Sequence, residues 1–345
     1  RISVGTWVWI LMIYSFVASV LPVWLLLQPR DYLNSHQLIT GLVLLTVGLI
    51  VLNPTIQAPA IVLDPPGAPP LIPFLFITIA CGAISGFHGL VSSGTTSKQV
   101  ECMTDARPIG FGGMLGEGAL GLLSVLASTA GFLTVAEWSE HYASWGAASG
   151  LGPKLAAFVN GGGRFVASVG VPIEFATTFM AVMVIAFAAT SLDTGARIQR
   201  LIIAELAGAY GVRALTNRYA AAAVGIGSAL VLAVTQAGGK GGLALWPLFG
   251  TTNQLVAGVT LLVVTVWLKR LGRPFIYTLV PMLLVGTATF FAMLGEIRSN
   301  VLEQNWLLVV VGVTVLVLDV WVLLEGFRAL AARPPVRVDL ARSLE

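Results

Sequence analysis

The stretch ISGFHGLVSSGTTSKQ, residues 84–99, follows directly on LIPFLFITIACGA (71–83), a run apolar enough to enter a bilayer. Gly86, Gly89 and Gly94 weaken a helix there. Ser85, Ser92, Ser93, Thr95, Thr96 and His88 bring polar groups to membrane depth before the first charge, Lys98. Lipid offers no partner to a free backbone N–H or C=O, so irregular backbone survives in a bilayer only where protein or a water-filled cavity covers it. Two explanations compete: an unwound helix lining a solute pathway, or small residues that let helices pack closely while their hydroxyls bond back along the helix.

The rest of the chain has the same character. Of 345 residues, 57% are hydrophobic and only 10% charged, against about 25% charged in a soluble domain. Such a chain is an all-α polytopic membrane protein. Nine spans are expected, at about 5–27, 37–52, 72–93, 110–134, 174–209, 217–235, 246–268, 275–294 and 306–327, each needing roughly 20 apolar residues for a full crossing. The 174–209 run is too long for one straight span and is expected to break at SLDTGARIQR or to run out of the membrane. The organisation expected is a single transmembrane domain over 1–330 and a basic tail over 331–345. Residues 135–173 form a non-spanning loop in which GPKLAAFV lies as an amphipathic lid and NGGGR as a glycine run.

With alternate crossings, 14 of the Lys and Arg residues fall on one side and 5 on the other. The richer side is cytoplasmic by the positive-inside rule, which puts Arg1 outside and Glu345 inside. Arg1 is not an initiator Met and no charged leader precedes the first span, so the start is expected to have been cut away or to lie mid-protein. The formal charge of +3 comes from short loops and does not suggest nucleic-acid binding. Cys81 and Cys102 form no ligand pattern, and no metal or cofactor is expected. GFGGMLGEG (110–118) starts a membrane helix, which is the wrong context for a dinucleotide fingerprint. No Walker A, HExxH, CxxC or GxSxG motif supports an enzyme.

Three polar stretches at membrane depth carry the candidate chemistry. The first supplies Ser85, Gly86, His88, Ser92 and Ser93; the second, AATSLDTGAR (188–197), supplies Ser191, Asp193 and Thr194; the third, LWPLFGTTNQLVAG (245–258), supplies Thr251, Thr252, Asn253 and Gln254. The first and third are candidate substrate contacts. Asp193 either faces a cavity or pairs with Arg197 four residues on. Glu117 is a carboxylate inside a span and a functional candidate for that reason.

At these stretches the chain resembles the carbon starvation protein A family of bacterial inner-membrane transporters. The matching strings are PVWLLLQPRDYLNS, PFLFITIACGAISGFHGLVSSGTTSKQ, IGFGGMLGE, AATSLDTGARIQR and LWPLFGTTNQL, in family order between residues 22 and 255. The resemblance implies uptake of a small carbon source, a peptide or a pyruvate-like carboxylate, driven by protons. It also implies a LeuT-like fold of two inverted five-helix repeats. On that reading the chain supplies helices four to twelve, lacks the first helices, and has its broken sixth helix in the opening stretch. Ser191, Asp193, Thr194 and Glu117 would then serve ion or proton coupling. Family members are longer, so the implied partners, besides the small-molecule substrate and the lipid bilayer, are a missing N-terminal portion or a separate membrane subunit. The alternative function is a transport-inactive accessory or structural subunit that keeps the transporter fold.

Overall fold

The computed structural model describes residues 3–332 except 64, 69–70, 73–81, 83, 149–150, 235–241 and 243–244, and leaves the side chains of 151, 246 and 247 undescribed. The described residues contain α-helices and short 3-10 turns and no strand. In chain order the helices are α1 (Val4–Val20), α2 (Val23–Leu52), α3 (Gly86–Gly94), α4 (Ala106–Ala130), α5 (Val135–His141), α6 (Leu151–Ala167), α7 (Ile173–Ala209), α8 (Arg218–Val234), α9 (Trp246–Arg270), α10 (Ile276–Leu302) and α11 (Trp306–Ala331). Six of them, α2, α4, α7, α9, α10 and α11, are long and apolar enough to cross a membrane; α1 and α8 are shorter apolar helices. The chain is therefore a polytopic α-helical membrane protein. It divides into two compact units, one of residues 1–68 and 99–231, the other of residues 69–98 and 232–345.

In the first unit, Leu45 of α2, Leu123 and Ala127 of α4, Phe165 of α6 and Met180 and Met183 of α7 make a buried apolar cluster. Its compactness depends on glycine. A Cβ at Gly161 would collide with the backbone carbonyl of Ala127, so α6 meets α4 backbone to backbone. The glycine run expected in a loop thus lies inside a 17-residue helix. Close approach outweighs the low helix propensity of glycine here, because in a membrane van der Waals packing is a principal force between helices.

Two further segments differ from expectation. The 5–27 span is interrupted at Leu21 and Pro22, where the backbone is extended. Helix α2 then runs unbroken for 30 residues through the polar QPRDYLNSH segment that was expected to be a loop. The polar side chains are satisfied within the fold: Asn34 Nδ2 donates to Thr190 Oγ1 at 2.6 Å, and Ser35 donates to the Tyr32 carbonyl at 2.7 Å. Helix α7 shows no break at SLDTGAR. It continues for 37 residues, about 55 Å at 1.5 Å per residue, which exceeds a hydrocarbon core of about 30 Å.

In the second unit, Leu248 and Leu255 of α9, Met293 of α10 and Leu308 of α11 are buried together. The expected 72–93 span is described only in its later part, since residues 73–81 and 83 lie outside the described set, as does the tail beyond residue 332. Segments 217–235, 246–268, 275–294 and 306–327 are occupied by α8 to α11.

The glycine contrast can be measured. Gly161→Ala should lower the thermal unfolding temperature in detergent, because overpacking costs about 1–3 kcal/mol. Gly116→Ala, with open space at its Cβ, should leave it unchanged or raise it slightly. Equal effects at both positions would contradict the close-approach account.

Candidate functional site

Each unit holds one buried polar constellation. In the first, Asp193 of α7 is fully buried. Tyr14 of α1 donates to its Oδ2 at 2.8 Å, and Arg30 Nη1 of α2 donates to the same oxygen. Arg30 also holds Asp31 Oδ1, through Nη2 at 2.7 Å. The guanidinium is mostly buried and thus bridges an interior carboxylate and a half-exposed one. Asp193 Oδ1 has no hydrogen-bond partner among the described residues. A buried ion at this depth is stable only when its partner and remaining lone pairs are well placed, so an open oxygen is a position for an incoming proton or donor.

Arg197, the partner considered for Asp193 from sequence, is engaged elsewhere. Its Nη2 donates to the carbonyls of Ala18, at 3.1 Å, and Leu21. These carbonyls lie at the carboxyl end of α1, where a helix lacks internal donors and favours a cation. The predicted Asp193–Arg197 bridge is replaced by Asp193–Arg30 because α2 brings Arg30 across to α7. Ser191 is exposed and Thr194 half-buried, while Asp193 is buried. The three differ in exposure, and the groups that meet Asp193 are Tyr14 and Arg30. Glu117 lies on an exposed part of α4.

Sequence reasoning missed Tyr14, Arg30 and Asn34. The available signal was spacing: Arg30 and Asn34 stand four apart, Thr190 and Asp193 three apart, so each pair shares a helix face. Nothing local says that the two faces meet.

In the second unit Ser85 is extended (φ −110°, ψ 130°) and α3 begins at Gly86. The run that precedes it, 73–81 and 83, lies outside the described residues, so the expected loss of helical bonding within a span is not described there. Ser85 makes no side-chain cap. Asn253 of α9 supplies it from outside: its Oδ1 accepts from Phe87 N at 2.7 Å, and its Nδ2 donates to Ser85 Oγ at 3.1 Å. Gly86 makes this possible, since a Cβ there would strike the Asn253 carbonyl and Val256. Within α3 the packing explanation applies. Ser92 and Ser93 are exposed and bond back to the Gly89 carbonyl at 2.9 and 3.1 Å, and His88 is exposed.

Thr251, Asn253 and Gln254 are buried on α9, and Thr252 is half-buried. Gln254 is fully buried, with neither carboxamide atom hydrogen-bonded to a described residue. Leaving such a group unsatisfied costs about 1–3 kcal/mol, and its carboxamide has two donors and an acceptor unused among the described residues. Among the described residues, no group of three or more His, Cys, Asp or Glu could hold a metal ion.

A buried ion pair inside membrane helices and an unsatisfied interior carboxamide are features of membrane proteins that handle polar solutes. The profile of the family described as Carbon starvation protein CstA matches residues 1–141 and 134–292. The chain belongs to the carbon starvation protein CstA family. It is 36% identical over 334 residues to Peptide transporter CstA of Mycobacterium tuberculosis, covering 79% of this chain and 43% of that protein. It is 34% identical over 322 residues to Peptide transporter CstA of Escherichia coli, covering 77% and 45%. To the Pyruvate/proton symporter BtsT of Escherichia coli it is 33% identical over 336 residues, covering 75% and 46%. The chain thus spans about half the length of the curated relatives it matches. No solved structure matches it.

The ion pair makes a stability prediction. Arg30→Gln strands the Asp193 carboxylate and should cost about 3–5 kcal/mol, whereas Arg30→Gln with Asp193→Asn should recover most of the loss. Detergent thermal unfolding of both variants checks this; no recovery in the double variant would show that Arg30 acts through packing alone.

Proposed function

We infer that the chain forms part of a secondary transporter that carries a small carboxylate or short peptide across the bacterial inner membrane with a proton, by alternating access. The observation that carries this reading is Asp193: a fully buried carboxylate inside membrane helices, held on one oxygen and open on the other. Intramembrane carboxylates that face protein mark proton or ion pathways. The relatives are named as transporters, one of them as a proton symporter, which supports the reading and gives no support to an enzyme.

In this mechanism the ionised carboxylate holds Arg30 and Tyr14 and so ties α1, α2 and α7 together. A proton taken up at Oδ1 neutralises Asp193 and weakens its attraction for Arg30. The guanidinium keeps Asp31, and the contact between α2 and α7 loosens. The chemical event is one O–H bond formed on entry and broken on exit. Substrate recognition falls to the second unit, where Gln254 offers unused polar atoms beside the Asn253-capped start of α3. A LeuT-like arrangement of inverted repeats, with the C-terminus cytoplasmic, belongs to the same proposal. The extended backbone at Ser85 ahead of α3 is consistent with it. The helices that complete such a repeat would come from a further portion of the protein or a separate membrane subunit.

Two variants test the two roles. In proteoliposomes, Asp193→Asn should abolish accumulation driven by an imposed proton gradient while leaving counterflow exchange measurable. Wild-type accumulation in that variant would sink the coupling role. Gln254→Leu should leave thermal stability unchanged or raised, since it removes an unsatisfied polar group, and should raise the uptake KM at least tenfold. Unchanged uptake kinetics would remove Gln254 from the site.

A further inference from the structure

The segment between α4 and α7 lines a solvent-open cavity of about 470 Å³ within the first unit, with Glu140 and Asn160 exposed at it, and none of its lining belongs to the Asp193 network. That volume falls within the roughly 300–1,000 Å³ of small-molecule sites. Its polar lining consists of Glu137, Glu140, His141, Asn160 and Arg164.

Two of these groups are committed to each other. Arg164 Nη2 donates to Glu137 Oε1 at 2.9 Å, and its Nη1 also reaches the Gly131 carbonyl. Leu133 N donates to Glu137 Oε2 at 2.8 Å. The Arg164 hydrogen bond, with that from Leu133 N, holds the Glu137 carboxyl below its ordinary range. The pair makes a fixed, neutral wall that joins α5 to α6.

The other three groups are uncommitted. Glu140 carries no ion pair or hydrogen bond among the described residues. His141 Nε2 is buried and has no partner among them. Asn160 likewise makes no hydrogen bond there. With Glu137 and Arg164 cancelling, the lining has a net charge of about −1 with His neutral, which disfavours an anion. A carboxylate, an imidazole nitrogen and an amide oxygen are three acceptors. Phe132, whose ring lies 5.4 Å from that of His141, adds an aromatic surface suited to a cation. The ligand that matches three acceptors, a net negative lining and an aromatic wall is a group with three N–H donors and a positive charge.

We propose that this loop cavity binds a primary ammonium group, that of an amino acid or of the N-terminus of a short peptide, through Glu140, His141 and Asn160. The proposal depends on the transport reading only for the choice of a peptide as probe; binding here needs no translocation step.

The test is equilibrium binding of radiolabelled alanyl-alanine to the full-length protein in nanodiscs, in the Gln254→Leu background so that the proposed contact on α9 does not contribute. Alanyl-alanine should compete at least tenfold better than N-acetyl-alanyl-alanine. Glu140→Gln should weaken binding at least tenfold and remove that discrimination without changing thermal unfolding. His141→Phe, which keeps the ring contacts, should copy the loss. Absence of binding, equal competition by the acetylated peptide, or unchanged affinity in both variants would overturn the site. Failure of the transport reading would look different: no uptake into proteoliposomes, with Glu140-dependent binding intact.

Discussion

The contact between Arg30 and Asp193 is the constraint on which the first unit depends. A carboxylate withdrawn from water at membrane depth costs several kcal/mol unless a cation and further donors meet it. Arg30 and Tyr14 both reach its Oδ2, and that requirement fixes the approach of α1 and α2 to α7. It also explains why α2 stays helical through a segment rich in polar residues. Arg30, Asn34 and Ser35 each find a partner without leaving the helix. Arg197 secures the other end of the same contact by taking the carbonyls of Ala18 and Leu21. Asp193 therefore joins three helices, α1, α2 and α7.

The glycines serve a different need from the one that first drew attention to them. Lipid tails are as apolar as the side chains they surround, so helices associate through close packing and polar contacts. Gly161 lets α6 lie against the backbone of α4, and Gly86 lets α3 lie against α9. The start of α3 at Gly86 is capped by Asn253, which supplies the acceptor that Ser85 does not. Its neighbour Gln254 makes no such contact among the described residues.

Membrane character and the inward position of Asp193 were legible in the sequence, because a long apolar run and a carboxylate within one are local anomalies. What was not legible depends on distant chain. Arg30 lies 163 residues from Asp193, so the nearer Arg197 looked the better partner. The QPRDYLNSH segment read as a loop because its satisfying groups belong to α7. SLDTGAR suggested a break or an exit from the membrane; the helix persists for 37 residues, longer than a hydrocarbon core, and Asp193 and Arg197 find partners on α1 and α2. The glycines of NGGGR read as part of a non-spanning loop, whereas Gly161 meets the backbone of α4, Gly162 meets Met180 and Leu45, and Gly163 meets Thr177. The loop cavity gave only scattered charges, since Glu137 and Arg164 meet across 27 residues.

The central claim is that Asp193 alternates between an ion-paired carboxylate and a protonated acid. Infrared difference spectroscopy on the full-length protein, with aspartate isotopically labelled at the side-chain carboxyl, tests it directly. Substrate addition should produce the carbonyl-stretch band of a protonated carboxyl group in the wild type, and the band should vanish in Asp193→Asn. A spectrum without that band, or the same band in Asp193→Asn, would contradict the account.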